Sequence, residues 1–265
     1  MEIGKLLLTA SAVGAALALS SCNTKPAGWD DEWVAQDIVA APAAKDQIKI
    51  DGVISPGEWD NAQEYHPARA KDWGYAALLP RQRKMEDSVP FERGYFKVKY
   101  DDRYLYILAS LKDSDIVQTS REHQTLSLKT GDMIKVFLVP EGKRSYWEID
   151  GTPWNRAATL FHPWLGHRRD DQRKTEDGIL TGVMIHGSIN TDDNVDSGWD
   201  IEMAIPRELI EKAGEKFEPG KEWKILLCRS NCGANLPSPQ ISSTPRLPRQ
   251  DHHLIEYYSK LKFKP

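Results

Sequence analysis

Residues 96–111 read Phe-Lys-Val-Lys-Tyr-Asp-Asp-Arg-Tyr-Leu-Tyr-Ile-Leu-Ala-Ser-Leu. Phe96, Val98 and Tyr100 alternate with Lys97 and Lys99, the period of a half-buried strand. Asp101-Asp102 marks a turn. Tyr104–Leu111 is apolar on both faces, as a central strand is. The same reading extends outward. Met133–Val139 predicts a strand, the turn Pro140-Glu141-Gly142 follows, and Ser145–Ile149 returns beside it as a hairpin. Trp199, Ile201, Met203 and Ile205 alternate with Asp200 and Glu202. Trp223, Ile225 and Leu227 open another strand, and His253–Phe263 closes the chain with a further β-like run. Only Pro56–Glu64 and Pro206–Ala213 read as helical. Many short strands with few helices predict an all-β fold, a β-sandwich or jelly roll. Three long segments interrupt it: 67–94, 154–178 and 231–251. Long loops on such a frame are where binding residues concentrate.

The chain has 265 residues, 35 basic and 39 acidic side chains, a net charge of -4, and 40% hydrophobic residues. That balance excludes a disordered chain. It also lacks the positive charge that drives non-specific nucleic-acid binding. Nine Trp are available for core packing or ligand stacking. Three Cys are too few for a disulfide framework. Cys228 and Cys232 could pair only across a turn, because a straight strand would hold them about 13 Å apart.

The N-terminus reads as an address. Lys5 precedes an apolar run, Leu6–Leu19, that is too short to span a bilayer with margin. It ends in Leu19-Ser20-Ser21-Cys22, which resembles the lipobox of bacterial lipoproteins. That resemblance implies a signal peptide over 1–21, cleavage before Cys22, and acylation of Cys22 with several chains, enough for stable anchoring. Asn23 is not the Asp that favours inner-membrane retention, so an outer-membrane location, periplasmic or surface-facing, is expected. Export also removes ATP- and NAD-dependent readings. Residues 22–45, with Pro26, Gly28, Pro42 and an acidic patch at Asp30-Asp31-Glu32, read as a flexible tether, and 46–265 as the folded domain.

Several motifs occur in series. Ile50-Asp51-Gly52-Val53-Ile54 precedes Gly57-Glu58-Trp59. Val98–Tyr106 joins an acidic turn to an aromatic strand. Gly131-Asp132 leads into Val136-Phe137-Leu138. Trp199–Pro206 reads W-D-I-E-M-A-I-P, and Gly220–Arg229 follows. Together they resemble the carbohydrate-binding module family 9-like domain, over roughly residues 47–263. The resemblance implies a jelly-roll sandwich, a sugar held between aromatic side chains, and supporting calcium ions. The sequence departs from the family at the sugar site. Lys129, Thr130 and Gly131 stand where a clamp Trp is expected. Lys135 replaces an acid, and Glu148 and Asp150 replace an Arg and an Asn. No second clamp Trp lies between Ile241 and Asp251. Lys135 and Glu148 reverse the family's charges, so an ion pair could persist with its polarity swapped.

The densest polar and aromatic segment holds Arg144, Tyr146, Trp147, Glu148, Asp150, Trp154 and Asn155. Alternation places Trp147 and Ile149 in the core and Tyr146, Glu148 and Asp150 on the concave ligand surface. Trp154, His162, Trp164, His167, Arg168 and Arg169 on the second long segment suit a glycan, especially an acidic one. Trp73 and Tyr75 on the first are similar, whereas Trp59, Trp199 and Trp223 read as core. Arg249 and His253 fall near a sugar-contacting position of the family. The adjacent His252 and His253 would point to opposite faces of a strand. Asp192, Asp193 and Asp196 offer oxygen ligands for structural Ca2+, and Asp113 and Asp115 do so to a similar degree. No organic cofactor is expected and no catalytic motif is evident. The leading expectation is a lipid-anchored, non-catalytic carbohydrate-binding protein, working beside surface glycan-degrading enzymes. The alternatives are a glycan hydrolase using Glu148 and Asp150, or an envelope module that kept the fold and lost the sugar site.

Overall fold

Two twisted sheets face each other in a computed structural model that describes residues 36–124, 130–164, 173–174, 178–191, 195–212 and 214–265. In chain order the strands are β1 (Ile38–Pro42), β2 (Ala68–Arg69), β3 (Gly94–Tyr100), β4 (Tyr104–Leu111), β5 (Met133–Pro140), β6 (Tyr146–Thr152), β7 (Arg156–His162), β8 (Arg173–Lys174), β9 (Leu180–His186), β10 (Gly198–Pro206), β11 (Trp223–Asn231), β12 (Gln240–Thr244) and β13 (Ser259–Phe263). The first sheet runs β8-β7-β6-β5-β11-β13, with β12 on the far half of β11 and β2 beside β12. The second runs β3-β4-β10-β9. Apart from β1, all its neighbours are antiparallel, and one face of each sheet is turned inward. The all-β sandwich expected from the sequence is the fold observed.

The inner faces build one core. Ile134, Val136 and Leu138 of β5, Trp147 and Ile149 of β6, and Ile225 and Leu227 of β11 meet Phe96, Val98, Ile107, Trp199, Ile201 and Met203 of the second sheet. Each such side chain, fully withdrawn from water, contributes roughly 1.5–3 kcal/mol. Trp199 and Trp223 belong to this core as expected, and Trp147 and Ile149 face inward as their alternation required.

The motifs at 50–59 and 199–206 are two halves of one contact on the outer face of the second sheet. The Glu202 carboxylate accepts hydrogen bonds from the amides of Asp51 (3.2 Å) and Gly52 (3.0 Å) and from the Trp59 indole (2.9 Å). Burial raises the Glu202 carboxyl to about 7. Gly52 has φ +83, and a Cβ there would meet the Val183 backbone at 2.4 Å, so no other residue fits without displacing β9. Residues 56–64 therefore form turns instead of the expected helix. Their polar groups are spent elsewhere. Glu58 accepts from the amides of Ser55 and Lys49, and its carbonyl receives the Lys99 ammonium at 2.8 Å. Lys99, expected on a solvated face, is consequently buried.

Further differences concern elements of weak pattern. A helix α1 (Pro80–Ser88) lies inside the first long segment, started by Pro at its first turn and by the Leu79 amide donating to the Gln82 side chain at 2.9 Å. The second helix, α2 (Arg207–Glu211), stands at the expected place in a shorter form. The terminal β-like run is a strand only over Ser259–Phe263, preceded by a 3-10 turn at Ile255–Tyr257. Within the segment expected as a tether over 22–45, residues 38–42 are the strand β1. β1 pairs in parallel with both sheets: Ile38–Ala40 lie opposite Leu261–Phe263, and Ala41–Pro42 opposite Lys99–Tyr100. No described helix is long and apolar enough to cross a membrane.

Ile38, Ala40 and Ala41 of β1 are almost fully buried. Shortening the chain to begin at Lys45, compared with one beginning at Gln36, is expected to cost at least about 3 kcal/mol in urea denaturation. Equal midpoints would show that β1 is dispensable.

Candidate functional site

The outer face of the first sheet is set by register. Lys135 of β5 lies opposite Asp150 of β6, Phe137 opposite Glu148, and Tyr146 opposite His162 of β7. All these side chains point away from the core because their neighbours Val136, Trp147 and Ile149 point into it. Tyr146, Glu148 and Asp150 share the outer face, as their alternation required, but that face is not open. The late segment leading to β13 covers it with Leu247, Ile255, Tyr257 and Tyr258, and Trp73 packs alongside.

Under that cover sits a charge network. The Lys135 ammonium contacts Glu148 Oε1 at 2.6 Å and Asp150 Oδ2 at 2.9 Å. The swapped-polarity ion pair expected from the sequence is thus present. His162 Nε2 lies 2.8 Å from the other Glu148 oxygen. Both carboxylates hold Lys135 protonated, so its pKa is raised despite burial. Lys135 and His162 keep Glu148 ionised, well below the usual carboxylate range. Asp150 is completely enclosed, and burial outweighs its share of Lys135, raising it to about 7.

An aromatic group adjoins the network. The Tyr146 and His162 rings stack at 4.3 Å with an interplanar angle of 6°. The Tyr146 hydroxyl shares a 2.7 Å hydrogen bond with His253 Nδ1. His252 and His253 were expected on opposite faces, yet both rings lie against Phe137, at 5.6 and 6.3 Å. The reason is that residues 252–253 form a turn rather than a strand, so the period of two does not apply. Burial lowers His252 to about 4 and lowers His253 as well. Sequence reasoning missed Phe137, Tyr258 and Cys228 on this face. The alternation of β5 carries the signal for Phe137, while nothing local marks the other two.

The remaining expected site residues divide by position. Trp164 follows the end of β7 next to His162 and is half exposed. Arg144 is exposed just before Tyr146. Arg249 is 58% exposed, pairs with Asp251 at 3.1 Å and stands on the covering segment. Trp154 and Asn155 are not part of this group. They form the turn after β6, about 20 Å along the strand from Tyr146. The Trp154 indole donates to the Gln118 carbonyl at 2.7 Å, and Arg121 stacks on its ring at 4.0 Å. Asn155 has φ +56, a turn role. Trp73 packs under the Arg69 guanidinium. His167, Arg168 and Arg169 lie outside the described residues, as do Cys22 and the lipobox.

For calcium, Asp192 and Asp193 lie outside the described residues. Asp196 is buried with one oxygen on the Ser188 amide and the other on the Ile116 amide. Asp113 pairs with buried Arg229 at 3.2 Å, and Asp115 accepts from the Ala234 amide. These carboxylates are committed to protein groups. Among the described residues no three His, Cys, Asp or Glu side chains cluster as metal ligands. Cys228 and Cys232 are both free thiols.

Lys135→Met leaves two buried carboxylates without their cation, and a loss of about 3–5 kcal/mol is expected by urea denaturation. Adding Glu148→Gln and Asp150→Asn to that variant should recover part of the loss. Asp150 is easier to protonate when folded, so its contribution is full below about 4 and is lost as pH rises towards 7. The melting temperature of Asp150→Asn relative to the parent should therefore climb from pH 4 to 7. A flat difference would contradict this environment for Asp150.

The chain matches no family profile and no curated protein. Solved structures do match its fold. A crystal structure from Bacteroides uniformis ATCC 8492, of a protein proposed to bind carbohydrate, superposes with a TM-score of 0.63 at 12% identity, covering 87% of this chain and 100% of that one. A carbohydrate-binding module family 9 domain from Caldicellulosiruptor kristjanssonii, in complex with cellotriose, superposes with a TM-score of 0.51 at 13% identity, covering 86% of this chain and 94% of that one. The sandwich described above is the fold of those proteins.

Proposed function

We propose that this chain is a non-catalytic carbohydrate-binding protein, held at the cell envelope by a lipid on Cys22. The observation that carries the reading is the set of exposed side chains at the end of the first sheet, Trp164, Arg144, His253 and Arg249, held beside the buried Tyr146–His162 stack. Sugars present flat C–H faces to aromatic rings and hydroxyls to charged groups in fixed positions. The fold shared with a protein proposed to bind carbohydrate and with a module that holds cellotriose supports the same reading. Glu148 and Asp150 grip one ammonium beneath the covering segment, which gives these carboxylates a structural task. The lipobox-like Leu19–Cys22 supports an outer-membrane anchor, with surface glycan-degrading enzymes as neighbours.

The test is calorimetric titration of the purified protein with xylan, cellulose, pectic and host-type oligosaccharides. Saturable heat is expected for one class. Trp164→Ala or Arg249→Ala should weaken it roughly tenfold, the scale of one lost stacking or charged contact, and Trp154→Ala should leave it unchanged. A folded protein that gives no heat with any sugar would overturn the reading. Fractionation tests the anchor: Cys22→Ser should move the protein out of the membrane pellet.

A further inference from the structure

The opposite face of the sandwich carries a cleft of about 910 Å³ that the first-sheet reading does not use. Its floor is made by one row across three strands. Tyr95 of β3 lies opposite Ser110 of β4, and Ser110 opposite Asp200 of β10. All three point outward because Phe96, Ala109 and Ile201 point into the core. His66 and Phe91 form one wall, and His66 meets the Tyr95 ring edge-on at 6.3 Å. On the other side the neighbour of His186 across the ladder is Gly198, which has no side chain. The imidazole leans instead onto Asp200, with Nε2 2.6 Å from Oδ2.

Two cations line the same cleft. Arg93 and Lys112 are exposed, joined only by a backbone hydrogen bond of 2.8 Å, and neither has an ion-pair partner among the described residues. Asp200 is the carboxylate in the lining, and His186 holds one of its oxygens, leaving the other to accept a hydroxyl. The Ser110 hydroxyl also makes no hydrogen bond among the described residues. Ring surface, two uncommitted cations and hydroxyl-binding groups converging in one concavity describe a ligand site. The chemistry that satisfies all of them is a small polyhydroxylated molecule carrying a carboxylate.

We propose that this cleft is a second saccharide site, selective for a uronate residue. Arg93 and Lys112 would take the carboxylate, Asp200 and Ser110 the hydroxyls, and Tyr95 the apolar ring face. The proposal rests on the carbohydrate-binding reading but not on the first-sheet face, which lies on the other side of the core.

The test is titration of the purified protein with trigalacturonate and, as the neutral control, cellotriose. Trigalacturonate should bind at least roughly tenfold more tightly than the neutral trisaccharide, and more weakly as salt is raised. Arg93→Ala, Tyr95→Ala and Asp200→Asn should each weaken it roughly tenfold at an unchanged melting temperature, while Trp164→Ala and Arg249→Ala leave it alone. Trigalacturonate binding that responds only to Trp164 or Arg249 would overturn this cleft and keep the first-sheet reading. Neutral-sugar binding without any for the uronate would do the same. No binding of any sugar would overturn both.

Discussion

A five-residue strand that belongs to both sheets is the constraint on which the sandwich depends. β1 hydrogen-bonds to the last strand of the first sheet with its leading half and to the first strand of the second with its trailing half. Both pairings are parallel and both partners are far away in sequence. Loop closure between such distant segments is entropically costly, so the contact must be repaid by burial along the strand. Further bonds fix the strand's position. The Val39 amide donates to the Tyr65 hydroxyl at 2.7 Å, and the Ser259 hydroxyl donates to the Gln36 carbonyl at 2.6 Å. The two halves of the molecule are thereby registered to one another by backbone as well as by core packing.

The two outer faces are treated differently. The second sheet is covered at one end by residues 50–59, tied to Glu202, and left concave at the other, where Tyr95 and Asp200 stand. The first sheet is covered by the segment leading to β13, over a buried Lys135 network. Burying three charges is rarely a route to stability, because desolvation offsets most of the Coulomb attraction. What the network supplies is uniqueness. Only one register of β5 against β6 brings Lys135 to both carboxylates, and a slip of one residue would drive Lys135 into the core.

Legibility followed the strength of local periodicity. β3, β4, β10 and β11 were readable because their apolar positions alternate or run continuously over seven or more residues. β1 was not, because Ile-Val-Ala-Ala-Pro is short, Ala-rich and set among linker-like residues, and its partners are non-local. α1 was not, because Pro-Arg-Gln-Arg-Lys-Met-Glu-Asp-Ser carries almost no apolar stripe; its hold is polar, through Glu86 to Arg69 and Gln240. At the site, alternation placed Tyr146, Glu148 and Asp150 on one face, and the family resemblance set Lys135 against Glu148. Neither could tell that the face is covered, since the cover comes from a turn over a hundred residues later. Trp154 stands apart from the group for a related reason: composition placed it with Tyr146, and the length of β6 separates them.

The covering segment also changes what can happen to a thiol. Cys228 sits on the same outer face, fully enclosed, and burial raises its pKa well above the usual thiol range. In the closed molecule it is therefore neither accessible nor appreciably ionised, so oxidants and alkylating reagents meet it only when the segment carrying Leu247 and Tyr258 lifts. Its modification rate is then a clock for a local opening. It counts how often the first-sheet face uncovers without any need for a ligand to be bound.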